Sequence, residues 1–333
     1  MNDQLLVSVI IPVHNGASTV RQAIDSAAMQ TYPHLEIILV DDGSTDGTLA
    51  ILQEYAARDP RIRVIAQQNG GVAKARNAGI AASTAEFFAP LDADDMYLPD
   101  KISRQVEGLL AAGPDTAAVY CWWVWIDATG AVMDRSPRWT IEGHVLEQLM
   151  QINFVGCASV PLFRKSAAVE VGGYNSRLGN AKPLLGEDWD LMIRIAERHS
   201  VVCVPEILMG YRHLPGSMST ACQAMWRSQQ AVMQHLRQRR PDLKARLFRS
   251  SEQRFAMYLA GQSYRSGKLA DAIRWTLRAG LLLPLRLSPY VLKARWFPRR
   301  NQHPPQIMRP GERIDTSRIP EPLLPYGRIL YPE

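Results

Sequence analysis

Val7-Ser8-Val9-Ile10-Ile11, running into Pro12-Val13-His14-Asn15-Gly16, reads as an apolar strand that stops in a polar loop. A helical pattern follows over residues 17–29, and the alternation then returns: strand at 36–40, helix at 45–58, strand at 63–65, helix at 72–82, strand at 87–91. Strands separated by helices at this spacing predict a doubly wound α/β sheet with its strands buried between helical layers. Such sheets bind ligands beyond the carboxyl ends of their strands, so the residues directly after each strand carry the most information. Those residues are Pro12-Val13-His14-Asn15-Gly16, Asp41-Asp42-Gly43-Ser44, Asn69-Gly70-Gly71 and Asp92-Ala93-Asp94-Asp95.

Further along, residues 116–126 form an apolar strand with Trp122, Trp123 and Trp125, closed by the turn Asp127-Ala128-Thr129-Gly130. Residues 154–174 mix strand-like and helical pieces around Gly172-Gly173. A polar stretch then leads to Gly186-Glu187-Asp188-Trp189-Asp190 and a helix through Arg198. Beyond Ser219 the pattern is helical, over 223–239, 243–265 and 269–283, and the last two form a hairpin about Ser266-Gly267-Lys268. Phe255, Leu259, Ile273 and Leu277 are expected to supply its packing face. The expected organisation is a catalytic α/β domain over 1–220, a basic helical extension over 221–297 and an extended Pro/Arg-rich tail over 298–333.

Charge divides the chain at the same place. Residues 1–221 hold 17 Lys+Arg against 25 Asp+Glu, a balance of −8, whereas residues 222–333 hold 21 against 7, a balance of +14. An acidic front binds anions through a metal ion; a basic rear suits phosphate-rich surfaces. The longest apolar run, residues 117–126, is far below the ~18 residues of a membrane span, and Met1-Asn2-Asp3 begins no signal core. A cytoplasmic chain is expected. Cys121, Cys157, Cys203 and Cys222 stand singly, which argues against a disulfide framework or a structural zinc site and predicts buried thiols in a reducing compartment.

Asp92 and Asp94 at a strand mouth are the hard oxygen ligands that Mg2+ or Mn2+ needs to hold a diphosphate. The same residues also suit an acidic turn before Pro99, or the nucleophile of a phosphatase, although the latter usually continues with a hydroxyl residue where Met96 stands. Asp42 occupies the place where doubly wound folds read a nucleoside, and it also lies near a helix cap. The run from Asn69 to Asn77 brings glycines, Lys74 and Arg76 to a helix start, where N–H groups and Arg favour phosphate. Glu187-Asp188-Trp189 sets acids beside an aromatic ring, as a general base and a sugar-stacking surface require.

Taken in order, residues 7–15, Asp41-Asp42-Gly43-Ser44, Asn69-Gly70-Gly71 with Ala75-Arg76-Asn77, Leu91-Asp92-Ala93-Asp94-Asp95 with Pro99, Gly172-Gly173-Tyr174 and Glu187-Asp188-Trp189 resemble the family 2 glycosyltransferases. The resemblance covers about residues 6–220. It implies the GT-A fold, a Rossmann-like mixed sheet flanked by helices, here with a C-terminal helical extension. It also implies transfer of a sugar from a nucleoside-diphosphate donor, UDP by default, to a saccharide or lipid-linked acceptor, with inversion.

By the same resemblance, Pro12, Val13, Asn15, Asp42 and Arg76 belong to the nucleotide site. Asp92 meets the ribose or metal-bound water, Asp94 ligates Mg2+ or Mn2+, and Arg212 contacts the diphosphate. Asp188 is the general base, with Glu187 and Trp189 shaping the acceptor side. The family pattern Tyr-Arg-x-His departs here, because Leu214 fills the His position and His213 falls one residue early, so a metal contact by His213 depends on a shifted loop. The alternatives are an inactive nucleotide-sugar-binding scaffold, a Mg2+ phosphohydrolase using Asp92 and, ranked last, a nucleic-acid binder. Residues 280–287 and 296–300 mix apolar and basic side chains, which suits the inner membrane surface or simple packing on the domain.

Overall fold

The computed structural model describes residues 5–176, 178, 186–214 and 221–282. Strands β1 (Val7–Val13), β2 (Leu35–Asp41) and β3 (Ile62–Ala66) are parallel, and β4 (Phe87–Pro90) pairs in parallel with the other edge of β1. Every residue of β1 is buried, as expected of a strand covered on both faces. The crossovers are α1 (Val20–Ala28), α2 (Thr48–Arg58) and α3 (Val72–Ala82). Helix α3 lies close against the sheet because Gly79 has no side chain: a Cβ there would stand 2.3 Å from Ile10 Cγ2.

The second half of the sheet changes direction. It contains β5 (Met96–Tyr97), β6 (Thr116–Ile126), β7 (Val132–Arg135), β8 (Leu162–Arg164) and β9 (Ser200–Arg212). The strand order is β3-β2-β1-β4-β8-β6-β9-β5, with β7 on β6. Strand β8 runs antiparallel to both β4 and β6, whereas β6 and β9 are parallel, so the sheet is mixed. The remaining helices are α4 (Lys101–Ala111), α5 (Leu146–Gln151), α6 (Lys165–Glu170), α7 (Glu187–Ala196), α8 (Cys222–Arg239), α9 (Ala245–Arg265) and α10 (Leu269–Leu282). No described helix is long and apolar enough to cross a membrane. All four cysteines are free, with Cys121 and Cys203 buried.

The extension is anchored on the α/β unit. Val232, Met233, Leu236 and Phe248 belong to the same buried cluster as the sheet, and Gln151 bonds the Leu247 carbonyl (3.1 Å) and the Ser250 hydroxyl (2.6 Å). The hairpin turn uses Gly267 at φ +73°, with the Lys268 N–H reaching back to Ser263 O. Its buried face differs from the one expected. Ala272, Trp275 and Ala279 point inward against Trp226 and Leu259, whereas Ile273 and Leu277 are 61% and 65% exposed. One large ring between two small residues fills the groove, and the branched side chains on the adjoining stripe are left outside. The tail over 298–333 and the segments 284–287 and 296–300 lie outside the described residues.

Candidate functional site

The polar ends of β1, β2 and β4 meet the start of α7. Pro12 and Val13 are buried at the end of β1, and the Val13 carbonyl accepts the Asp42 N–H (2.8 Å). Asn15 holds a left-handed backbone (φ +53°), which asparagine tolerates better than most residues. Its N–H donates to Ser44 Oγ (3.0 Å) and its Oδ1 accepts the Thr45 N–H (2.8 Å), so it ties the first loop to the second.

Asp42 is 3% exposed. Its carboxylate accepts the N–H groups of Gly70 and Gly71 (2.8 Å each) and the Gln67 amide (2.7 Å). The carboxylate thus shapes the Asn69-Gly70-Gly71 loop beside the expected nucleotide site.

Arg76 is engaged within the chain. It is 3% exposed on α3, with Nη2 donating to Asp92 Oδ1 (2.5 Å) and Nη1 to Glu187 Oε1 (2.6 Å). Its guanidinium stands 5.2 Å from the centroid of the Tyr174 ring. Burial alone would favour a neutral group, but the two carboxylates win and hold Arg76 charged. This one side chain joins the acids after β4 to the acids at the start of α7, two motifs nearly a hundred residues apart in the chain.

The three acids after β4 have three environments. Asp92 is partly exposed and ion-paired through Oδ1 to Arg76. Asp94 is pushed up to about 6, first by burial and then by the neighbouring Asp92 charge. A divalent cation would relieve that repulsion, and one or two carboxylates plus phosphate oxygens form a normal Mg2+ set, so the pair fits the expected metal. Asp95 is fully buried and raised well above its ordinary value by burial and by Asp94. It accepts the Ser159 hydroxyl (2.6 Å) and the Arg212 N–H (2.9 Å), and so anchors the loop.

Arg212 is 1% exposed. Its guanidinium donates to the carbonyls of Asp94 (2.7 Å), Asp127 (2.8 Å) and Ala128 (2.9 Å) and to Gln22 Oε1. It therefore lies beneath the acidic loop as a brace. His213 is exposed and edge-on to Trp125. Among the described residues no three His, Cys, Asp or Glu side chains gather as a metal cluster.

Helix α7 begins after Gly186, which takes φ +83°. Glu187 is buried on Arg76, while Asp188 is partly exposed and its Oδ1 accepts the Trp189 N–H (2.8 Å). Burial and the Glu187 charge push Asp188 up to about 7, against the opposing pull of Arg76. A carboxylate near neutrality is suited to take and release a proton.

Trp189, expected to stack on an acceptor sugar, is 6% exposed: its ring nitrogen donates to Leu149 O (3.0 Å) and its face lies parallel to Phe255 of α9 (6.2 Å). It belongs to the joint between the α/β unit and the extension. Two residues without a sequence signal also matter. Ser159 bridges the Asp92 N–H and Asp95, and Gln22 receives Arg212.

Residues 8–171 match the sequence model of Glycosyl transferase family 2. Among curated proteins, an uncharacterized glycosyltransferase of Rickettsia typhi is 44% identical over 122 residues, 37% of this chain and 37% of that protein. Chondroitin synthase of Escherichia coli is 30% identical over 210 residues, 62% of this chain and 29% of that one. The chain thus spans well under half the length of these relatives.

Among solved structures, the mannosyltransferase PcManGT of Pyrobaculum calidifontis, in complex with GDP-Man and Mn2+, superposes with a TM-score of 0.56 at 19% identity, covering 87% of this chain and 79% of that one. S. aureus TarS 1-349 in complex with UDP gives 0.52 at 14% identity, covering 85% and 93%. At these identities the likeness establishes a shared fold.

Proposed function

The chain belongs to glycosyl transferase family 2 through residues 8–171, and from that premise we propose that it moves a sugar from a nucleoside-diphosphate donor, UDP by default, to a saccharide or lipid-linked acceptor hydroxyl with inversion. The observation that carries this reading is the Arg76 bridge, because it brings the Asp92 and Asp94 loop and the Asp188 helix start to one place. The nucleotide lies against the ends of β1 and β2, with the Asp42-pinned glycine loop as its wall. Asp92 and Asp94 hold Mg2+ or Mn2+, which when bound offsets the negative charge that develops on the departing diphosphate.

Asp188 deprotonates the acceptor hydroxyl. The Trp189 N–H orients its carboxylate, and its elevated proton affinity makes it an effective acceptor near neutral pH. Attack from the Asp188 side as the diphosphate leaves from the opposite side is a single displacement, which inverts the anomeric carbon.

The acceptor side extends toward the inner face of a membrane. Leu269, Ile273, Leu277 and Leu281 form an outward stripe on α10, in a region whose net charge is strongly positive. The test of activity is release of nucleoside diphosphate from UDP-, GDP- and dTDP-sugars with saccharide acceptors. One donor class should turn over with metal in the wild type and not in Asp188→Asn. Binding of the donor without turnover in either protein would instead identify a nucleotide-sugar-binding scaffold.

A further inference from the structure

Tyr174 is held from three sides, yet among the described residues its hydroxyl has no partner. It follows Gly172 and Gly173, both with positive φ, and the second glycine is required: a Cβ there would stand 2.7 Å from Asn77 Oδ1. That close approach lets the Asn77 side chain clasp the Tyr174 backbone. Oδ1 accepts its N–H (2.8 Å) and Nδ2 donates to its carbonyl (2.7 Å). The ring lies beside the Arg76 guanidinium, the same group that binds Asp92 and Glu187.

The residue is 2% exposed, and among the described residues no group hydrogen-bonds its hydroxyl. An unpaired hydroxyl buried in a folded protein is destabilising, and a phenylalanine in the same space would avoid the penalty.

The surroundings indicate what the hydroxyl serves. Tyr174 lines a small cavity together with Asn153, Cys157, Asp188 and Trp189. The other polar groups there are engaged: Asn153 closes on both backbone groups of Gly156, the Cys157 thiol points to Asp95, and the Trp189 ring nitrogen donates to Leu149 O. Burial and the nearby charges of Asp188, Asp92 and Glu187 outweigh Arg76 and keep the phenol protonated, so it acts as a hydrogen-bond donor. Beside it stands the carboxylate assigned to the acceptor proton.

We propose that Tyr174 is a specificity-determining residue whose hydroxyl donates a hydrogen bond to a ring hydroxyl of the saccharide that reacts beside Asp188. The proposal rests on the glycosyltransferase reading of the site. A polar group preorganised and left unpaired in the free enzyme discriminates strongly, because a substrate lacking the matching hydroxyl leaves it unpaired in the complex as well.

Tyr174→Phe tests this with three readouts. Its melting temperature in the free state should equal or exceed that of the wild type, while kcat/KM for transfer falls about 10- to 100-fold. With UDP, UDP-GlcNAc, UDP-glucose and GDP-mannose as probes, the thermal shift caused by the bare nucleotide should be unchanged in the variant. If the donor ring is the partner, the additional shift of the active nucleotide sugar is lost. If the acceptor ring is the partner, that increment remains and the acceptor KM rises.

A series of singly deoxygenated saccharides supplies the third readout, which does not depend on the variant's stability. One deoxy substrate should lose as much with the wild type as the mutation does, and Tyr174→Phe should be indifferent to it. An active wild type whose Tyr174→Phe variant keeps kcat/KM within twofold, or whose sensitivity to every deoxy substrate matches that of the wild type, would overturn the proposal alone. A wild type with no turnover of any probe would overturn the glycosyltransferase reading beneath it.

Discussion

At the carboxyl edge of the sheet the molecule buries ionisable groups: Arg76, Asp95 and Arg212 are 3%, 0% and 1% exposed. On α10 it does the reverse, leaving Leu269, Ile273, Leu277 and Leu281 between 59% and 89% exposed. The first departure from the ordinary burial pattern is compensated within the chain, since each buried group has ion pairs or hydrogen bonds that hold it. The second is not compensated by any described residue. Buried ionisable groups here make a rigid site whose partners are internal, whereas exposed apolar surface marks a face whose partner is another body.

The largest test of this contrast is catalytic. Asp188→Asn should lower donor turnover by ~10²–10⁴ with nucleotide affinity retained, since only the proton acceptor is removed. Comparable turnover by the two proteins would detach α7 from the chemistry. Arg76→Met should reduce stability by ~3–5 kcal/mol in urea unfolding, because Glu187 and Asp92 are left without their cation. A loss well below that would mean the two acid motifs do not depend on the bridge.

The pH dependence follows from Asp188, which faces Glu187, Arg76, Asp92 and Tyr174. With its folded value raised to about 7 from an ordinary 3.8, the base is protonated at low pH, and the rate should climb as pH rises through about 7. The stability contribution has the opposite slope. The folded state holds more protons between those values, so this carboxyl lowers stability as pH increases from about 4 to about 7 and has a constant effect above. Asp188→Asn should therefore stabilise the protein more at pH 8 than at pH 4 in paired thermal melts, and an equal effect at both would refute the assignment.

How the two regions differ in legibility has a physical cause. The strands and helices through β4 stand in the sequence as alternating apolar and polar runs, whereas the two-residue β5 does not, and α3 and β6 have the bounds that the pattern predicts. Strand β9 is not legible in the same way: Pro205 and Gly210 interrupt it, and its pairing with β6 shifts register three times.

Among site residues, the positions of Asp92, Asp94 and Asp188 at a strand end and a helix start are legible, because the apolar runs that flank them mark where those elements stop and begin. The internal partners of Arg212, Asp42 and Trp189, among them Gln22, Gly70 and Phe255, are not legible because they are set by tertiary packing. The α10 face misleads for the same reason: the helical period marks two apolar stripes, and only contact with Trp226 selects which is buried.

Smaller effects probe the joint and the exposed stripe. A double-mutant cycle on Trp189 and Phe255 should give a coupling of ~0.5–1.5 kcal/mol, measured by urea unfolding; additive losses would show that α9 rests on α7 without a specific ring contact. The paired change Leu277→Ser with Leu281→Ser should alter stability by no more than about 0.5 kcal/mol, as expected at solvent-facing positions. The same pair should weaken sedimentation with phosphatidylglycerol vesicles by at least about tenfold. Unchanged vesicle binding would remove the membrane from the proposed partners.

The most direct test of the site is calorimetric titration of UDP, GDP and dTDP, with and without Mn2+, into the wild type, Asp94→Ala and Asp188→Asn. One nucleotide should bind in a metal-dependent manner to the wild type and to Asp188→Asn, with that dependence lost in Asp94→Ala. Metal-dependent binding that survives intact in Asp94→Ala, or no binding of any nucleotide to the wild type, would contradict the donor site at the ends of β1, β2 and β4.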